Sequence, residues 1–185
     1  QDQKLVLVTT FGYYPVPASL KNDPNKPSEW LSREHYFRYL KSDNLTLFFG
    51  LMDKAFGIRT VDHTAFSRAK TGLAQNDQTY GVMGIYRKEP WDYTTHVFMG
   101  NLAQDSELRQ RGLSLMAEKD LNQFHRLGGS FMMSENNYIN WVRLAGHSKL
   151  GFGKGNSFLT EAGLIQNKPK TGEIKNGGYA IAQSM

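Results

Sequence analysis

The chain contains no cysteine, which removes disulfides, thiolate metal sites and a cysteine nucleophile together. Proline is scarce, with six residues in all. Pro15, Pro17, Pro24 and Pro27 crowd into one short stretch, so the rest of the chain has few enforced breaks. No run approaches the roughly 18 uninterrupted apolar residues of a membrane-crossing helix, and the N-terminus lacks the basic-then-apolar order of a secretory signal. The expectation is a soluble, cytoplasmic protein with no membrane association. The five histidines, His35, His63, His96, His125 and His147, form no His-x-x-x-His spacing, so no metal is expected. Neither a Gly-x-Ser-x-Gly elbow nor a phosphate loop ending in Gly-Lys-Ser/Thr occurs.

What is present fits one folded unit. At 185 residues with 39% hydrophobic and 12% aromatic side chains, the chain reads as a single domain spanning 1–185 with enough apolar material for a core. A net charge of +5 suits an anionic partner such as a nucleotide cofactor. The Lys and Arg residues are scattered, which argues against nucleic acid, and Tyr36, Phe37, Tyr39, Phe48 and Phe49 read as core packing rather than as base-stacking platforms.

Lys4 to Thr10 is rich in β-branched residues and reads as an opening strand, followed by a Pro/Asn-rich arm to about residue 28. Ser28 can cap a helix through Leu40, and Asn44 another over Leu45–Phe56, closed by Gly57. Asp62 starts a third, polar helical run through about Ala74. Thr79–Arg87 and Thr94–Ala103 are strand-like and separated by the turn Lys88–Asp92, which predicts a hairpin. Arg109-Gln-Arg-Gly-Leu-Ser114 reads as a glycine-containing turn opening a helix with Leu113, Met116, Ala117, Leu121, Phe124 and Leu127 on one face. Ser130–Ser134 is a strand, a further helix ends at Lys149-Leu-Gly-Phe152, and Asn156–Thr160 and Gly178–Gln183 close as strands. Together these predict an α/β fold, a mixed sheet with helices on both faces.

Arg109-x-x-Gly112-x-Ser114, with Asn140 and Lys149-Leu-Gly-Phe152 downstream, resembles the signature of the GCN5-related N-acetyltransferase (GNAT) superfamily. The likeness runs over about Thr79 to Phe158. It implies a mostly antiparallel central sheet flanked by helices, acetyl-CoA as co-substrate, and direct transfer of an acetyl group to an amine acceptor. It further implies that Arg109, Gln110, Arg111, Gly112, Leu113 and Ser114 hold the pyrophosphate, that Leu102 and Ala103 pair with pantetheine, and that Asn140 touches the cofactor. Ser114 stands where the family prefers Gly or Ala.

By the same resemblance His147 occupies the position where many members carry a proton-donating Tyr. Glu135 and His96 are the candidate general bases. A homodimer or larger assembly fits the family. The alternative is a GNAT-fold module without acyl transfer, a structural or interaction component of a larger, virion-like particle.

Overall fold

The computed structural model describes residues 4–13, 30–58, 77–153 and 155–184. The described chain is ten strands: β1 (Leu5–Tyr13), β2 (Trp30–Ser42), β3 (Leu45–Met52), β4 (Thr79–Lys88), β5 (Trp91–Phe98), β6 (Arg111–Asp120), β7 (His125–Glu135), β8 (Ile139–Phe152), β9 (Asn156–Pro169) and β10 (Lys175–Ser184). They form one antiparallel sheet in which every strand pairs with its sequence neighbours, in the order β1 to β10.

The expected α/β fold with helices on both faces is therefore corrected to an all-β meander with no helix among the described residues. The helix expected through Leu40 is β2, and that over Leu45–Phe56 is β3 running into an extended segment. The helix expected after Ser114 is β6, a turn and β7, and the one ending at Phe152 is β8. The run from Asp62 to Ala74 and most of the Pro/Asn-rich arm lie outside the described residues. The opening strand, the hairpin and the last two strands are present as expected, but β5 is Trp91–Phe98 rather than Thr94–Ala103: it begins within the expected turn and ends before the 99–110 connection.

Side chains alternate between the two faces, as the pleat of a strand requires. In β8, Val142, Leu144 and Gly146 are exposed while Arg143, Ala145 and His147 between them are buried. Antiparallel partners share a face, so the register gives whole rows. Leu7, Phe37, Phe49, Val82, Val97, Leu113, Met133 and Val142 lie side by side across β1 to β8 on the outer face. A parallel row holds Leu115, Phe131, Leu144 and Leu164. On the inner face His96, Ser114, Met132 and Arg143 form one row and Glu118, Gly128, His147 and Glu161 another.

The sheet curls about its inner face. The segment that leaves β3 crosses that face: Phe56 packs in one cluster with Phe98, Met132 and Ala145, with Tyr179 against it. Gly57 N donates to Ser130 Oγ at 2.9 Å and Ile58 N donates to the Glu161 carboxylate. One short stretch thus touches β5, β7, β8, β9 and β10, which a flat sheet could not allow.

The two ends of the sheet differ. Turns 43–44, 89–90, 121–124 and 153–155 close one end. Connections 14–29, 53–78, 99–110, 136–138 and 170–174 leave from the other.

Candidate functional site in the polar interior

A sheet folding in water turns its polar face outward. This one does the reverse. Val97 is 59% exposed, Leu144 54% and Leu164 65%, whereas His96 is 0%, Arg143 2% and His147 5% exposed. Burying charge is costly unless each group is paired, so the interior is where the chemistry of the chain concentrates. Two polar groups occupy it.

The first lies toward the short-turn end and links β5, β6, β7 and β8. Arg126 grips Asp120 with two bonds, Nε to Oδ1 at 2.6 Å and Nη2 to Oδ2 at 2.8 Å, and its Nη1 reaches Asp92 at 3.0 Å and Glu118 at 3.3 Å. Glu118 Oε1 also accepts from Lys149 Nζ at 2.7 Å and from His147 Nε2 at 3.0 Å. A carboxylate only accepts, so this contact puts a proton on Nε2 of His147. These donors answer a carboxylate that burial would otherwise leave unpaired.

The second lies at the long-connection end, around a cavity of about 320 Å³ lined by Lys54, Gln78, Asn101, Gln110, Trp141 and Arg143. Lys54 donates to Gln110 Oε1 and stands 5.8 Å from the centre of the Phe98 ring. Burial is the main cause that lowers its ammonium to about 8. Gln78 Nε2 donates to Asp53 Oδ1 at 2.9 Å, and Gly100 N donates to Thr79 Oγ1 at 2.8 Å, fixing the rim. Arg143 stacks near Trp141, its Cζ 5.8 Å from the ring centre. Its Nε and Nη1 are buried with no hydrogen-bond partner among the described residues.

The residues singled out from the sequence scatter across this architecture. Gly112, Leu113 and Ser114 are mid-sheet, paired with Phe98, Val97 and His96 on one side and with Ser134, Met133 and Met132 on the other. The ladder thus claims the backbone that a phosphate would need. A Cβ on Gly112 would sit 2.1 Å from Met133 O, so the glycine serves close strand packing. Arg109 is tied to its own loop, Nε to Gln104 O at 2.9 Å and Nη2 to Leu102 O at 3.0 Å. Leu102 and Ala103 are exposed in that loop. Arg111 begins β6 on the outer side, and Asn140, the second residue of β8, lies on the same side. Of that set only Gln110 reaches the cavity.

Of the three catalytic candidates, His147 and His96 face inward in different rows, while Glu135 is exposed on the outer side with Lys170 Nζ 3.4 Å away. They do not converge on one point. The acetyl-CoA expectation loses its structural basis with the helix N-terminus it required.

Sequence reasoning passed over Lys54, Glu118, Arg126, Trp141 and Arg143. The signal for Arg143 was a lone charge between apolar neighbours, Val142-Arg-Leu144. Compared with protein-family models, characterised proteins and solved structures, the chain matches none.

Proposed function

We propose that this chain is a membrane-spanning β-barrel of the outer-membrane type, with a lumen filled by its own polar side chains and the 53–58 segment rather than open as a wide channel. The observation that carries this reading is the inverted sheet, apolar outside and charged inside. Lipid is the solvent that rewards such a surface, because the backbone groups of β2 to β9 are satisfied on both sides within the sheet and the apolar rows meet acyl chains.

The dimensions support it. Strands of about 10 residues rise roughly 33 Å, and a tilt of about 40° brings that to about 25 Å, the height of an outer-membrane apolar band. On the outer face of β6 and β7, Lys119 and His125 mark one end and Arg111 and Glu135 the other. Only Leu113, Leu115, Ala117, Leu127, Gly129, Phe131 and Met133 lie between. Aromatic side chains gather at the ends, as interfaces prefer. Tyr86, Trp91 and Tyr93 lie at the short-turn end, where Trp91 stacks on Tyr93 at 5.8 Å and Lys119 Nζ sits 5.4 Å from the Trp91 ring centre. Phe11 and Tyr138 are exposed at the other. Short turns on one side and longer connections on the other complete the pattern of this class. No helix of the described residues is long and apolar enough to cross a membrane, and strands need none.

The test is folding into phospholipid vesicles, followed by unheated gel mobility and protease protection. The parent should require detergent or lipid to stay monodisperse. Leu144→Arg, in the middle of the outer band, should cost about 2–4 kcal/mol of folding stability in the bilayer, with Leu144→Ala far milder. A parent that is monomeric in plain buffer, or a Leu144→Arg protein as stable as the parent, would sink the membrane assignment.

A further inference from the structure

The geometry points to a binding site for a small oxyanion, a phosphate or a carboxylate, in the cavity where Arg143 and Lys54 meet at the long-connection end of the interior. This site rests on the interior alone and does not depend on what covers the outer face.

Arg143 makes the argument. It is 2% exposed, and its Nε and Nη1 find no acceptor among the described residues. A buried guanidinium with two nitrogens unanswered by any described acceptor is unfavourable until an acceptor arrives. It lines a cavity whose other donors are neutral amides, Gln78, Asn101 and Gln110, with the Lys54 ammonium on the same wall. The guanidinium fork matches two oxygens of one carboxylate or phosphate, and the ammonium supplies a point charge beside it.

The opposing charge is present too. Asp77 lines the same cavity and its field, with that of Asp53, favours protonated Lys54. The two cations, Lys54 and Arg143, are matched in number by Asp53 and Asp77, so the site suits a small anion of low charge held by the guanidinium fork rather than a polyanion. The volume, about 320 Å³, suits inorganic phosphate or a small mono- or dicarboxylate and is too small for a dinucleotide. Trp141 beside Arg143 gives the site its own optical reporter.

The experiment titrates the full chain, folded in detergent micelles or vesicles, with inorganic phosphate and separately with succinate, read by tryptophan fluorescence and calorimetry; sodium chloride at matched ionic strength is the control. At least one probe should bind with a Kd of about 1 mM or tighter. Arg143→Gln should weaken binding by tenfold or more, and Lys54→Met by a smaller factor. Lys149→Gln, at the other end of the interior, should leave binding unchanged.

Gel mobility and far-UV dichroism report whether each variant has folded. Should Arg143→Gln fail to fold, Arg143→Lys keeps the charge and removes the fork, and it should bind at least severalfold more weakly. Which probe binds separates phosphate from carboxylate as the ligand class. No binding of either probe by the folded parent, or equal binding by folded Arg143→Gln, overturns the site.

Discussion

Glu118 is the residue on which the interior charges balance. Its carboxylate receives His147, Lys149 and Arg126 at once. Buried at 6% exposure, it answers all three donors. Glu118→Gln leaves Lys149 and His147 facing an amide and should cost about 3 kcal/mol of folding stability, read by denaturant unfolding in micelles at neutral pH. A Glu118→Gln protein as stable as the parent would show that the carboxylate does not hold these groups in balance.

At the scale of elements, the 53–58 segment is the piece that turns a curled sheet into a filled one. Gly57 has φ +62, where a side chain is strained, and a Cβ there would lie 2.2 Å from Glu161 Oε2. Glu161 also accepts from Tyr179 at 2.6 Å, so it is pinned from behind. Gly57→Ala should expel the segment and expose the amides of Gly57 and Ile58. Their hydrogen exchange should quicken by an order of magnitude or more, about 1.4 kcal/mol of local opening, while the β6–β8 ladder keeps its protection. Ser130→Ala removes one of the two anchors and should show a weaker form of the same effect. Uniform loss of protection across the sheet would instead mark the segment as part of the global folding unit.

The same elements show how far the sequence was legible. Lys4–Thr10, Thr79–Arg87 and Asn156–Thr160 read as strands because β-branched or aromatic residues run together between breakers. The strands from β6 to β8 were misread for a physical reason. Both their faces carry apolar residues, lipid-type Leu113, Leu115 and Ala117 on one side and space-filling Met116 and Met132 on the other. Adding the two sets produces chance spacings of three and four, which imitate a helix. The alternation was visible in Val142-Arg-Leu-Ala-Gly-His147 and in Leu127-Gly-Gly-Ser-Phe-Met-Met-Ser134. The glycine of Arg109-x-x-Gly112 looked like a phosphate turn, though its need is strand-to-strand closeness. Arg143 and Lys54 could not be paired from sequence, since only the curl of the sheet brings β3's trailing segment to β8.

For the whole molecule, the unresolved physical demand is the pair of edges. β1 and β10 stand at the two ends of the strand order, and an open edge inside a bilayer would leave a row of N–H and C=O groups without water, at several kcal/mol for each. A membrane-spanning sheet of this kind has to close. The curl already brings Tyr179 of β10 onto Phe56, which trails from β3, so one edge strand joins the interior packing. β1 and β10 run in opposite senses, because strand direction alternates along a ten-stranded meander, and that suits an antiparallel seam. A chain without cysteine makes the seam directly testable. With Val8→Cys fixed on the inner face of β1, a second cysteine stepped through Tyr179, Ile181 and Gln183 on the inner face of β10 should form an intramolecular disulfide in vesicles at one position and its neighbour at most. The geometric window for the bond, a Cα separation of about 4.4–6.8 Å, accepts only paired strands. Crosslinks that form only between chains would mean that two copies complete one barrel, and none at any position would leave the edges open and the bilayer placement untenable.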